Sequence, residues 1–338
     1  MQFHLSAEEA WYNLTRATAE AKMSIDFEQY IVRDDEMGRD FLDLLGRKAR
    51  EGVRVRVILD AFGSRTLRGS DAITALRQAG AQVIFYGGLR FWQVFTPWKW
   101  FPRTHVKTLH VDGRLTLLGS MGLAEYMRGW RDTQVVLTPD ISKAAEADFE
   151  RLWTRLTRGK PDRDLPPEAL AGPRSYAVQI PEDHYGQIYE SLLQAVERAR
   201  HSIRIATPYF FPPKRLRNAL LAAQDRGVSI HLMLSGRTDV RSADFMTKRL
   251  KFKWLKLGFE VLVYQNTTLH AKYAVIDGDW GTVGSCNFDV LSLHLNREAN
   301  MVVRDPGVVA ILASHFETDR QHCLLLGETV AAEAMEIA

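Results

Sequence analysis

The stretch His105-Val106-Lys107-Thr108-Leu109-His110-Val111-Asp112-Gly113 decides how this chain is read, because it occurs twice. The second copy is His270-Ala271-Lys272-Tyr273-Ala274-Val275-Ile276-Asp277-Gly278. A Gly-Ser pair follows each histidine at 14 and 15 residues, as Gly119-Ser120 and Gly284-Ser285. With each residue type at about 5%, a chance second copy has odds on the order of 10⁻⁴. The chain is therefore read as an internal duplication.

The repeat extends outward from the motif. Ala21-Lys22-Met23-Ser24-Ile25 matches Ala199-Arg200-His201-Ser202-Ile203. Ala49-Arg50-Glu51-Gly52-Val53 matches Gln224-Asp225-Arg226-Gly227-Val228, and Ala79-Gly80-Ala81-Gln82-Val83 matches Leu257-Gly258-Phe259-Glu260-Val261. Each of the last two blocks reads as helix, glycine, then buried strand. Helices alternating with strands imply an α/β fold built twice. A polar stretch with four prolines, 161–173, separates a first half, 1–160, from a second, 174–338. The opening residues 1–23 have an amphipathic helix pattern, which Glu8, Glu9 and Glu20 distinguish from a signal peptide.

The halves differ in one place. Tyr86 precedes His105 by 19 residues, whereas Tyr264 precedes His270 by only 6. The extra segment holds Trp92, Phe95, Trp98, Trp100 and Phe101 among Arg90, Lys99 and Arg103. Aromatic rings mixed with cations suit a membrane interface beside the site entrance. Packing over the site is the plainer alternative. The basic stretch 248–256 reads as a solvated helix face or as a contact for anionic lipid.

The repeated residues carry phosphoryl chemistry. His and Lys sit two apart in apolar runs that read as strands, so each pair shares a face. Histidine serves as nucleophile when neutral and as acid when protonated. Lys107 and Lys272 are expected to neutralise the non-bridging oxygens, with Ser120 and Ser285 binding phosphate oxygens. Asp112 and Asp277 have the opposite strand parity and precede glycine, so they are expected to shape a turn. Asp132 and Glu298 lie 27 and 28 residues after the two histidines, each beginning an apolar run. Both are candidates to hold a histidine ring nitrogen. No dense cluster of Asp, Glu and His is evident, so a site without metal or cofactor is expected.

These residues resemble the phospholipase D superfamily, named for its H-x-K-x4-D motif. The second copy matches the longer family pattern with His270, Lys272, Asp277, Gly284, Ser285 and Asn287. The first departs from it, with Gly122 where the family usually has Asn. The resemblance implies two αβ halves about a pseudo-twofold axis, each a mixed β-sheet flanked by helices, pooling their motifs into one site. It further implies a phosphohistidine intermediate, with His105 as nucleophile, His270 as general acid and Asn287 among the substrate-binding residues. Within the superfamily, Trp130-Arg131-Asp132-Thr133 and Asn296-Arg297-Glu298-Ala299-Asn300 look most like bacterial cardiolipin synthases.

The expected activity is phosphatidyl transfer with phosphatidylglycerol as donor and acceptor. Hydrolysis by a phospholipase D, or phosphodiester cleavage by a nuclease, are the alternatives. A net charge of +3 and the tryptophan-rich insertion argue against nucleic acid. The expected partners are a phospholipid substrate and an anionic membrane surface, with no obligate protein partner evident. Two cysteines, Cys286 and Cys323, fit a reducing compartment. No run approaches the roughly 20 apolar residues of a membrane span. The expectation is a cytoplasmic protein, peripheral on the inner face of the cell membrane.

Overall fold

The computed structural model describes residues 1–88, 101–159, 170, 172–181, 185–237 and 251–327. The first half runs β1 (Gln2–Ser6), α1 (Ala7–Glu20), β2 (Ser24–Gln29), α2 (Glu36–Arg50), β3 (Arg54–Asp60), α3 (Asp71–Gln78), β4 (Gln82–Tyr86), β5 (Thr108–Val111), β6 (Leu115–Gly119), β7 (Arg131–Leu137) and α4 (Pro139–Arg158). The second half runs β8 (Arg174–Ile180), β9 (Tyr185–Gly186), α5 (Gln187–Arg198), β10 (Ser202–Thr207), β11 (Phe210–Phe211), α6 (Lys214–Asp225), β12 (Ser229–Ser235), β13 (Glu260–Tyr264), β14 (Tyr273–Ile276), β15 (Trp280–Gly284), β16 (Phe288–Asp289), β17 (Glu298–Val303), α7 (Pro306–Arg320) and β18 (Cys323–Leu325).

Each half forms a mixed sheet in the same order. The first is β1-β7-β6-β5-β2-β3-β4 and the second β8-β17-β15-β14-β10-β12-β13, with β9 and β18 added at its edges. In each, three parallel strands come from the strand–helix–strand blocks, and antiparallel strands carry the motif. The glycines that end those blocks, Gly52, Gly80, Gly227 and Gly258, all have φ between 85° and 100°. That is the left-handed stop expected from the sequence. Helix α2 shows how a face is chosen: Met37, Phe41, Leu42 and Leu45 are buried together. Asp35 caps its start by accepting from Gly38 N at 3.1 Å.

Four apolar clusters result among the described residues, the smallest joining Ile58 and Tyr86 to Phe149, Leu152 and Trp153 of α4. Of the other three, one packs the first sheet against α1, α2 and α3, and another packs the second sheet against α5 and α6. The third lies between the halves, where Val106, Leu118 and Val135 meet Met301, Val303 and Phe316. A core shared by both halves fixes one against the other. Among the described residues no helix is long and apolar enough to cross a membrane.

Two local expectations are corrected. Residues 2–6 are not helical: they form β1, which pairs antiparallel with β7, and the helix begins only after Ser6 accepts from Glu9 N. Edge pairing there outweighs the helical pattern. The His-x-Lys triplets are not inside strands either. They lie just before β5 and β14, because their backbones pair across to the other half, as described below. Trp92, Phe95, Trp98 and Trp100 lie outside the described residues, as does most of 161–173; Phe101 is half-buried.

Asp112 and Asp277 do shape turns. Both have positive φ, 55° and 53°. The Asp112 carboxylate accepts from Lys22 N (2.9 Å), Met23 N (2.7 Å) and Ser24 N (2.9 Å). Asp277 accepts likewise from Arg200 N, His201 N and Ser202 N at 2.7–2.8 Å. Each aspartate thus ties its hairpin to the chain entering β2 or β10. Partial burial would raise both carboxyls, but the backbone donors hold them below the ordinary value. Their stabilisation is therefore complete above about pH 4 and is lost as pH falls through the lower folded value. Asp112→Ala or Asp277→Ala should cost about 1–2 kcal/mol at pH 7, with Asn recovering part of it. The deficit should shrink at pH 2, as read by urea denaturation at both pH values.

Candidate active site

Two backbone crossings build the site. Thr104 pairs in parallel with Arg297, so His105 N donates to Arg297 O and Arg297 N donates to Arg103 O, both at 2.8 Å. Arg131 pairs in the same way with Leu269: Arg131 N donates to Thr268 O (3.0 Å), and His270 N donates to Arg131 O (2.8 Å). Each arginine is followed by an acid. Glu298 therefore meets His105 Nδ1 at 2.9 and 3.0 Å, and Asp132 meets His270 Nδ1 at 2.8 Å. Sequence distance left the partners open; in the structure each histidine is held by a carboxylate of the opposite half. Both motifs thereby enter one site.

Ser120 and Ser285 have a different contact from the one expected. Ser120 Oγ donates to Asp132, and Ser285 Oγ donates to Glu298 Oε2 at 2.5 Å. Their backbone N–H groups are spent on Thr133 O and Ala299 O, and those of Gly119 and Gly284 on Lys107 O and Lys272 O. A hydroxyl has one proton, and here each serine gives it to a carboxylate, which steadies that carboxylate. The glycines allow this close approach. A Cβ on Gly284 would stand 2.3 Å from Ala299 O, and one on Gly119 3.0 Å from Thr133 O.

Lys107 Nζ donates to His105 O at 2.7 Å and Lys272 Nζ to His270 O at 2.5 Å. Each ammonium is thus fixed beside its own histidine. Tyr30 stands edge-on to His105 at 4.8 Å, and Trp130 lies 5.2 Å from His270. Asn287 Oδ1 is buried without a hydrogen-bond partner among the described residues. Its counterpart Gly122 has no room for a side chain, because a Cβ would meet Met127 Sδ at 2.7 Å. Cys286 is buried, and burial pushes its thiol well above the ordinary range, which suits a packing residue.

Burial dominates the electrostatics. It lowers His105 to about 4, against the pull of Glu298 and with the help of Lys107. His270 is lowered by burial and by Lys272, against Asp132. Burial also brings Lys107 down to about 7, with Glu298 opposing and Lys272 assisting. Asp132 goes the other way. Burial would raise it, but His270, Lys272 and the Ser120 hydroxyl bring it to about 2. The site thus holds neutral imidazoles beside the ionised Asp132 and two buried lysines, a setting that favours an anion.

Sequence reasoning missed the braces behind the crossings. Arg131 makes a two-pronged ion pair with Asp319 on α7, both contacts at 2.7 Å. Arg297 pairs with Asp148 on α4 and approaches Glu28 at 3.4 Å. Each arginine is fastened to the other half's last helix. The signal was present, because Asp132 and Glu298 each follow an arginine, but nothing local said where the guanidinium would go.

Residues 14–153 and 192–320 match the family described as cardiolipin synthase, PLD-like domain. The chain is 30% identical over 337 residues to "Probable cardiolipin synthase YwiE" of Bacillus subtilis (strain 168), covering 94% of this chain and 65% of that protein. It is 32% identical over 312 residues to a cardiolipin synthase of Oceanobacillus iheyensis, covering 88% and 64%. It therefore spans just under two-thirds of the length of these relatives. Phosphatidylserine synthase from Haemophilus influenzae Rd KW20 has a similar fold, with a TM-score of 0.73 at 15% identity over 96% of this chain and 87% of that one. Polyphosphate kinase from Porphyromonas gingivalis has a TM-score of 0.63 at 17% identity, over 94% of this chain and 46% of that one.

Arg131→Met would leave Asp319 as a buried charge with the Tyr273 hydroxyl as its remaining partner among the described residues. Stability should fall by about 3–5 kcal/mol, and Arg131→Met with Asp319→Leu should regain most of it. Chemical denaturation of the three proteins checks this. Equal losses in the single and double variants would assign the effect to packing.

Proposed function

The chain belongs to the PLD-like cardiolipin synthase family, and from that premise we propose that it is a phosphatidyltransferase using phosphatidylglycerol as both donor and acceptor. The observation that carries this is the crossed pairing: two histidines, each with a carboxylate on Nδ1, beside two lysines. Glu298 holds the Nδ1 proton of His105, which turns the Nε2 lone pair outward as a nucleophile. A folded-state value of about 4 keeps that imidazole neutral at physiological pH. His105 attacks phosphorus, the bond to the glycerol oxygen breaks, and His270 supplies the proton to the departing alcohol.

His270 must carry a proton for that step, although burial and Lys272 oppose it. A phosphodiester anion between Lys107 and Lys272 offsets those cations and restores the proton. His270 then takes the proton from the hydroxyl of a second phosphatidylglycerol. That oxygen attacks phosphorus, the P–N bond to His105 breaks, and cardiolipin and free glycerol result. Tyr30 and Trp130 flank the two rings and limit water, which would divert the intermediate to phosphatidic acid. A lipid substrate supports a place at the membrane surface, which we propose to be the inner face of the cell membrane.

The test is incubation of the purified chain with phosphatidylglycerol vesicles and resolution of the products. Cardiolipin with glycerol supports transfer; phosphatidic acid alone makes it a hydrolase. Cleavage of single-stranded DNA with no lipid turnover would overturn the assignment. His105→Ala and His270→Ala should each lose about 10²–10⁴-fold in rate. On a phosphodiester with a nitrophenol leaving group, which needs no acid, His270→Ala should still accumulate the phosphohistidine and His105→Ala should not.

A further inference from the structure

The duplicated scaffold carries a surface whose chemistry is not duplicated. In the second half, β11 pairs in parallel with β16, Phe210 opposite Phe288 and Phe211 opposite Asp289. Phe210 and Phe288 are buried, so strand alternation turns Phe211 outward, where it is 53% exposed. The chain leaves β16 into a wide helical turn closed by Asn296 N donating to Leu291 O at 2.8 Å. That turn exposes Leu291 (45%) and Leu295 (39%). Asp289 caps it by accepting from Ser292 N at 2.8 Å. Three large apolar side chains are thus left in water, Leu291 and Leu295 between Ser285 and Glu298 of the site and Phe211 on the strand paired beside them.

Exposed cations flank them. Lys214 starts α6 three residues after Phe211. Lys253 lies on the helical residues 251–256, which pack beside the same ribbon through the Trp254–Phe210 ring contact at 5.0 Å. Residues 251–256, the described part of the basic stretch, thus pack on the buried side of the ribbon whose other side carries Phe211. The first half has the same scaffold, with Val32 bridging Leu123 in parallel. There the corresponding places are only partly apolar: the exposed Tyr126 stands where Leu291 does. Arg33 stands where Phe211 does, and after Leu123 come Glu125 and Arg128, paired with each other at 2.7 Å, around the phenol of Tyr126. The shared chemistry of the motifs does not require this difference.

We infer that the ledge of Phe211, Leu291 and Leu295, with Lys214 and Lys253, is the docking surface of this chain for an anionic phospholipid bilayer. Apolar side chains enter the headgroup–acyl boundary while lysines meet the lipid charge, a complementarity that a neutral or purely apolar partner would not use. The inference rests on the phospholipid assignment above and adds where the bilayer sits: against the second half, beside the segment linking Ser285 to Glu298.

Co-sedimentation of the whole chain with phosphatidylglycerol vesicles and with phosphatidylcholine vesicles tests it. Turnover of a short-chain phosphatidylglycerol dispersed below its micelle concentration is followed in parallel. Phe211→Ser/Leu291→Ser/Leu295→Ser should weaken binding to phosphatidylglycerol vesicles at least about tenfold. Lys214→Glu/Lys253→Glu should abolish the preference for those vesicles over phosphatidylcholine. Both variants should turn over the dispersed lipid as the parent does, which also reports that they are folded. If the parent turns over no lipid in either form, the phospholipid assignment fails. If the parent is active but the triple variant binds vesicles as the parent does, the ledge fails alone. Conversion of a dimer to a monomer by the triple variant, with vesicle binding intact, would make the patch a contact between copies and overturn the inference.

Discussion

The structure depends on one constraint, the parallel backbone crossing at Thr104–Arg297 and at Arg131–Leu269. At each crossing, the segment entering a histidine in one half is bonded to the start of the carboxylate strand in the other. The side chains then have little choice. Glu298 and Asp132 emerge one residue beyond the crossing and reach the Nδ1 atoms of His105 and His270. The central apolar layer holds the sheets at the spacing these bonds need. Moving one half relative to the other would separate both pairs at once, so the site and the interface between halves are a single structural feature.

The polar groups at this interface are costly to bury and are therefore bonded in series. Arg131 and Arg297 bring charge into the core, and Asp319 and Asp148 answer it from the last helix of the opposite half. Serines behind the carboxylates fill remaining acceptor positions. Burial keeps His105 neutral, and Lys107 and Lys272 stand fixed beside the two histidines. Such preorganised charge acts strongly because little water screens it.

Duplication supplied two equal halves, and substitution made them unequal. Glu28, the fifth residue of β2, corresponds to Ala206 in β10, and the buried Asp60 ending β3 corresponds to Ser235 ending β12. Thr104 donates to Glu28, and Thr104 N donates to Asp60 at 3.2 Å, immediately before His105. Leu269 N meets Ser235 Oγ at 3.0 Å in the matching place before His270. Gly122 against Asn287 is a further difference, enforced sterically by Met127. The surroundings of the two histidines therefore differ in charge and shape.

Much of this was legible in the chain itself. The spacing of His105, Lys107 and Asp112 and of their second copies identified the duplication. The helix–glycine–strand blocks identified the sheets, and the odd parity of Asp112 and Asp277 identified their turn-shaping role. These features depend on residues near one another, where periodicity and turn chemistry act directly. The pairing of carboxylates with histidines was not legible, because Asp132 and Glu298 stand at nearly equal distances from their own histidines and local spacing fits either arrangement. The role of the serines was hidden for the same reason, since a hydroxyl's partner depends on which acid is folded against it. Sequence alone determined two copies of one phosphoryl-transfer motif on an α/β frame. Only tertiary packing decided that each copy is completed by the other, because the backbone crossings that do so join residues more than 130 positions apart.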